Sequence, residues 1–170
     1  MNNSQLYSYC QGMTRNFKEV STIYFDMDGT IADLYGYTGW LDELRAERAT
    51  PYREAVPMVD TIKAVNLLLE LQKAGFKIGV ISWLSMNSSV EYKREVTKVK
   101  KQWLSIHFKG IVFDEEHFVQ YGTRKDYVAK DKKGILFDDS EEVRNKWRGI
   151  AINPQEENIC EILEKLLSYC

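Results

Sequence analysis

The sequence predicts an α/β fold: a three-layer, Rossmann-like parallel sheet covered by helices, with a small insert after its first strand. Three observations carry this. Short β-rich apolar runs alternate with amphipathic stretches along the chain, the pattern of strands and crossover helices in a parallel sheet. Nearly all the runs are continuous rather than alternating, as expected of strands buried on both faces. An acidic cluster, Asp26-Met27-Asp28-Gly29-Thr30, follows the first run directly, at the kind of strand end where an open α/β sheet binds ligands.

Taken in order, residues before about Thr14 are polar and read as a loose N-terminal extension. The apolar runs are 22–25, 77–82, 110–113, 134–137 and 149–152. Between the first two, Asp60 is placed to cap a helix whose Ile62, Val65, Leu68, Leu69 and Leu71 lie on or near one face, and Gly75 ends it. Across 88–108, Tyr92, Val96, Val99, Trp103 and Ile106 recur at intervals of four and three, away from Lys93, Arg94, Lys98 and Lys101. That basic run is most simply a solvated helix face. Short helices at 140–148 and 156–167 complete the alternation. One region breaks it. Residues 33–59 carry Tyr35, Tyr37, Trp40, Tyr52, Pro51 and Pro57 around an amphipathic piece at 40–47, far longer than the ~2–6 residues of an ordinary βα loop, and loops of that length are usually functional.

At 170 residues, the chain has the length of a single domain, 1–170, with 33–59 as an insert within it. Charged residues make up 28% and hydrophobic ones 44%, which excludes disorder along most of the chain. A net charge of −2 lacks the basic footprint of a dedicated nucleic-acid binder, so no long nucleic acid is expected as a partner. Cys10, Cys160 and Cys170 are odd in number and show no CxxC spacing, which fits a reducing cytoplasm. No apolar stretch is long enough to span a membrane, and residues 1–20 lack the pattern of a signal peptide; a cytoplasmic protein without membrane partners is the expectation.

Asp-x-Asp-Gly-Thr arises by chance in a chain of this length on the order of once in several hundred sequences. Two carboxylates at i and i+2 leave a strand end on the same side, where they offer hard oxygen ligands to Mg²⁺ and one can attack phosphorus as a nucleophile. Asp-Gly is also a common turn pair. Other polar sites favour the chemical reading: the second run ends in Ser82, the fourth is followed by Asp138-Asp139-Ser140, and Lys125 lies in the connection before the fourth.

In these motifs the sequence closely resembles the haloacid dehalogenase superfamily of aspartyl-phosphate phosphohydrolases, over about residues 20 to 155. Asp26 to Thr30 matches the first family motif, Ser82 the second, Lys125 the third and Asp138-Asp139 the fourth. The resemblance implies that Asp26 is the nucleophile and Asp28 the acid/base, with Thr30 positioning that carboxyl. It implies that Ser82 and Lys125 bind the transferring phosphoryl group. It also implies Mg²⁺ as cofactor, held by Asp26, Asp138, Asp139 and the backbone carbonyl of Asp28.

The third motif is the loosest, because Lys130, Lys132 and Lys133 also precede the fourth run; Lys125 is favoured since 122–125 can place a turn and a helix start at the sheet edge. Arg124 is a second candidate phosphate contact. For Asp138-Asp139 a helix N-cap competes, although one Asp suffices as a cap. His107 and His117 lack the spacing of a zinc site. Tyr35, Tyr37, Trp40 and Tyr52 either stack on a nucleobase, in a layout that resembles the cytosolic 5′-nucleotidases acting on deoxyribonucleotides, or simply pack the insert onto the core. The expected function is therefore a Mg²⁺-dependent phosphomonoesterase acting on a small phosphorylated substrate, with a nucleoside monophosphate favoured. A response-regulator-like phospho-acceptor module and a catalytically silent binding protein on the same fold are the competing readings, and Asp28, an acid/base two residues after the nucleophile, favours turnover over storage.

Overall fold

The structure, a computed structural model, describes Ser4, Ser8 and residues 21–169. Apart from those two serines the expected N-terminal extension lies outside the described residues, as do Cys10 and Cys170; Cys160 is a buried free thiol.

Five strands form one parallel sheet: β1 (Thr22–Phe25), β4 (Lys77–Trp83), β5 (Glu115–Val119), β6 (Ile135–Phe137) and β7 (Ile150–Ile152). Their spatial order is β5-β4-β1-β6-β7, so β1 lies at the centre between β4 and β6. This is the order that convergence of Asp26, Ser82 and Asp138 requires. Along β1 every residue is buried, but on alternating faces. Ile23 and Phe25 face a core shared with Leu68, Leu71, Trp103, Leu163 and Leu166, while Tyr24 faces Leu136, Ala129, Val143 and Trp147. Helices therefore cover both faces. On the first lie α3 (Thr61–Lys73), α7 (Ile159–Tyr169) and the C-terminal half of α4 (Val90–His107); on the second lie α5 (Lys125–Val128) and α6 (Glu141–Lys146).

The helix ends follow their sequence signals. The Asp60 side chain accepts a hydrogen bond from Lys63 N, Ser89 accepts one from Tyr92 N, and Ser140 accepts one from Val143 N. Two expected stripe residues, Ile62 and Ile106, are exposed instead, and the buried face of α4 runs through Val96, Val99, Lys100, Trp103 and Leu104.

The third strand is displaced from its expected place. The run at 110–113 is irregular, and the strand is Glu115–Val119. Gly110 takes a left-handed turn (φ 96°) after α4, and the ladder starts late because Asp114 engages β4 first. Its side chain accepts from Ile78 N (3.0 Å) while its own N–H donates to Ile78 O (2.8 Å). Ile111 and Phe113 still pack against the core, which accounts for the apolar signal of that run.

Residues 33–59 leave the sheet and return through an antiparallel pair, β2 (Ala32–Asp33) with β3 (Val56–Pro57). They hold two short helices, α1 (Trp40–Arg45) and α2 (Thr50–Glu54), the latter with Pro51 in its first turn. Leu34, Ala49 and Tyr52 pack against Leu84, Tyr92, Val96 and Val99, so the insert shares a small core with α4. Polar contacts fix it further. Glu47 accepts from both the N–H and the hydroxyl of Ser89 at the start of α4 (2.6 Å each), and Trp103 Nε1 donates to Ala55 O (2.7 Å). No helix among the described residues is long and apolar enough to cross a membrane.

The centre of the sheet tolerates no added bulk. The Tyr24 ring lies where a Cβ on Gly79 would be, 2.6 and 2.7 Å from its ring carbons. The ring has nowhere to move, because its hydroxyl donates to Glu115 Oε1 (2.7 Å) and accepts from Asp131 N (3.1 Å) while its edge meets Trp147. Gly79→Ala should therefore lower the free energy of unfolding by about 1–3 kcal/mol, the usual cost of overpacking. Urea denaturation reads this directly, and an unchanged midpoint would mean that the Tyr24 network yields easily.

Candidate active site

The site is built where the central strands end. One residue beyond β1, Asp26 N still donates to Phe137 O (2.9 Å), and one residue beyond β6, Asp138 N donates to Ile152 O (3.2 Å). The ladder thus sets the two carboxylates side by side. After Asp26 the chain turns sharply, with the Met27 carbonyl accepting from the N–H groups of Thr30, Ile31 and Ala32. Gly29 makes this possible twice over. It adopts φ 78°, and a Cβ there would lie 2.5 Å from Asp139 Oδ2 and 2.7 Å from the Tyr35 ring.

Between Asp26 and Asp138 stands Lys125, the first residue of α5, 3% exposed. Its ammonium donates to Asp26 Oδ1 (2.6 Å) and Asp138 Oδ2 (2.7 Å). Burial opposes its charge, but the two carboxylates outweigh burial and hold its pKa above the ordinary lysine value. Burial, with the charge of Asp26 adding to it, pushes the Asp138 carboxyl up to about 7 against the pull of Lys125. Burial and Asp26 likewise push Asp139 up to about 6.

A second buried ammonium lies behind Asp28. Lys100 donates to Asp28 Oδ2 (2.6 Å), Ser82 Oγ (2.8 Å) and Trp83 O (2.9 Å), and its Nζ sits 4.9 Å from the centre of the Tyr52 ring. Burial raises the Asp28 carboxyl, and Lys100 works against that shift. Four carboxylates thus face two ammonium groups.

The donor set suits a hard divalent cation. Asp26, Asp138 and Asp139 each place a carboxylate oxygen within 4.8 Å of the others, and their excess of negative charge is what such an ion would offset. The side chain of Asp28 is not in this trio; it is held by Lys100.

The acidic floor opens into a cavity of about 700 Å³. Asp26, Asp28, Lys125, Asp138 and Asp139 lie on its surface, beneath walls that include Tyr35, Trp40, Tyr52, Trp83 and Tyr121. Tyr35 meets Trp40 edge-on at 5.1 Å on the insert, and Trp83 packs against Tyr121 at 4.8 Å on the sheet side.

Of the residues singled out by sequence, the structure brings together Asp26, Asp28, Lys125, Asp138 and Asp139. Ser82 and Thr30 are close by but turned to other partners. Ser82 is fully buried, absent from the cavity wall and bonded to Lys100; the Thr30 hydroxyl accepts from Asp139 N (3.1 Å). Arg124 is committed to a bidentate pair with Asp126, and Lys130, Lys132 and Lys133 are exposed. His107 packs against Trp103, and His117 pairs with Glu115. Tyr37 is not part of the cavity wall. Sequence reasoning missed Lys100, Trp83 and Tyr121. For Lys100 a signal existed: it stands four residues after Val96 and three before Trp103, a charge on the apolar stripe of a helix.

Removing Lys125 leaves two buried carboxylates without their shared partner, so Lys125→Met should cost about 3–5 kcal/mol of stability in metal-free buffer. Chemical denaturation in the presence of a chelator measures this, and wild-type stability would mean that the ion pairs are not formed. Against models of known protein families and against curated proteins, the sequence finds no match.

Proposed function

We propose that this chain is a Mg²⁺-dependent phosphomonoesterase that works through an aspartyl phosphate on Asp26. The observation that carries the reading is one juxtaposition: Asp26 and Asp138 share the buried Lys125 at the ends of adjacent central strands, Asp139 completes a cation-sized trio, and all four open into one cavity. The resemblance of the motifs to the haloacid dehalogenase superfamily supports the same chemistry.

Mg²⁺ bound by Asp26, Asp138 and Asp139 would offset the repulsion between these carboxylates and an anionic phosphoryl group. Asp26 attacks phosphorus, and the bond from phosphorus to the leaving alcohol breaks as Asp28 delivers a proton to that oxygen. Asp28, now a carboxylate, takes a proton from water; the water oxygen attacks phosphorus and releases phosphate and the free carboxylate of Asp26. Lys125, bonded to Asp26 and Asp138, balances charge on the transferring group.

The cavity is within the ~300–1,000 Å³ of small-molecule sites and is rich in aromatic rings, which favours a phosphate ester carrying a flat group, a nucleoside monophosphate above all. Stacking on Tyr35, Trp40, Tyr52, Trp83 or Tyr121 would supply the preference.

Hydrolysis of a generic ester such as p-nitrophenyl phosphate should require Mg²⁺ and stop in excess chelator. Asp26→Asn should abolish turnover and the covalent intermediate, while Asp28→Asn should lower turnover by the ~10²–10⁴-fold typical of a general acid/base. Steady-state kinetics and acid-quench trapping of phosphoenzyme check both; near-normal turnover of Asp26→Asn would overturn the reading.

For the substrate, a nucleoside monophosphate should exceed ribose 5-phosphate in kcat/KM by roughly 5- to 150-fold, from stacking of ~1–3 kcal/mol. Tyr35→Ala should remove most of that preference and leave ribose 5-phosphate, which carries no aromatic ring, little affected. Equal rates for the two natural ester types would sink the nucleotide assignment and leave the phosphohydrolase standing.

A further inference from the structure

Lys100 spends every hydrogen-bond donor it has at one place. An ammonium offers three N–H groups and no acceptor, and here they go to Asp28 Oδ2, Ser82 Oγ and Trp83 O, at 2.6–2.9 Å. The group is 1% exposed, so water supplies none of its partners. The Tyr52 ring closes over it from the insert. Such an ammonium has a fixed position and fixed bond directions, and a carboxylate bonded to it inherits both.

Two facts about its neighbours then follow. The Asp28 side chain meets Lys100 through Oδ2 and retains 15% exposure on the cavity wall, so Oδ1 is the oxygen left for chemistry. Asp28 also stays out of the trio that Asp26, Asp138 and Asp139 form, although it follows Asp26 by two residues. Ser82, for its part, is completely buried and off the cavity wall, with its oxygen engaged by Lys100.

We infer that Lys100 is a positioning residue that holds Asp28 away from the cation trio and presents its second oxygen to the cavity, and that Ser82 serves Lys100 rather than the phosphoryl group. The inference rests on the phosphomonoesterase reading for its catalytic consequence and on geometry alone for its consequence in cation binding. Without Lys100, Asp28 is a fourth carboxylate free to swing toward the ion. The cation should then bind more tightly while proton transfer suffers.

The test is a double-mutant cycle read by calorimetric titration with Mg²⁺ alone. Lys100→Met should tighten Mg²⁺ on the order of tenfold, and the gain should vanish in the Asp28→Asn background. A gain of the same size in both backgrounds would be a mere loss of positive charge and would overturn the proposal, as would no gain at all. In p-nitrophenyl phosphate hydrolysis, Lys100→Met should lower kcat at least tenfold with KM little changed, and adding Lys100→Met to Asp28→Asn should lower kcat little below that of Asp28→Asn alone. Ser82→Ala keeps the ion pair and carries the test if Lys100→Met does not fold. It should lower kcat several-fold and leave the affinity for inorganic phosphate within about twofold; a loss of affinity of tenfold or more would return Ser82 to the phosphoryl group and overturn its assignment to Lys100. A wild type that binds Mg²⁺ without hydrolysing any ester would sink the phosphomonoesterase reading, and the Mg²⁺ cycle would still decide the role of Lys100.

Discussion

Two lysine ammonium groups buried among four aspartates are the constraint on which this molecule turns. An isolated charge taken out of water costs several kcal/mol even after relaxation, and a removed partner leaves that cost uncompensated. Lys125 and Lys100 are both nearly inaccessible; Lys125 is bonded to two carboxylates and Lys100 to one, at 2.6–2.7 Å. The topology has to deliver those partners. Asp26 and Asp138 are neighbours only because β1 and β6 are adjacent and in register, Phe25 opposite Phe137. Lys100 reaches Asp28 only because α4 follows β4, the other neighbour of β1, and lies against the end of that strand. A change of strand order would therefore scatter the charges and strand each of them without a counterion.

The insert is tied to the same arrangement. Its aromatic Tyr52 belongs to the small core with α4 and also faces the Lys100 ammonium, while its hydroxyl is hydrogen-bonded with Ser85 Oγ (2.8 Å). Glu47 binds the first turn of α4, and the Tyr92 hydroxyl donates to Arg48 O. One helix thus carries the lysine that orients Asp28 and the surface that seats the insert. The acidic floor and the aromatic walls are positioned by common parts.

Most of the fold was legible because burial on both faces writes itself into continuous apolar runs, and four of the five strands lie where those runs stand. The third differed because apolar packing and strand pairing parted company. Ile111 and Phe113 bury side chains without joining the ladder, and the half-buried edge strand that does join it reads Glu-Glu-His-Phe-Val. At the site, the acidic residues were legible because Asp26 and Asp138 each follow an apolar run directly, with Asp28 and Asp139 one or two residues further on. Ser82 was legible by position but not by partner, since a strand-end hydroxyl looks the same whether it faces a ligand or a lysine from another element. Lys100 was overlooked because the neighbouring Lys93, Lys98 and Lys101 made the basic run read as one solvated helix face; only its place on the Val96–Trp103 stripe sets it apart.

The walls of the cavity obey a different economy from its floor. Tyr35, Leu41, Met86 and Tyr121 are large apolar groups that remain 41–63% exposed around one opening. Single exposed apolar residues are ordinary on a protein surface, but several converge here on one concavity, and on the proposed reading they are the surface that meets the substrate. Pairing among themselves, as Tyr35 does with Trp40 and Tyr121 with Trp83, limits the exposed area without filling the cavity. The floor, by contrast, is fixed by ion pairs that any substitution disrupts. The charged floor is thereby coupled to the stability of the sheet, whereas on the proposed reading the group that the walls accept is set by exposed side chains such as Tyr35, Leu41, Met86 and Tyr121, which the core does not bury.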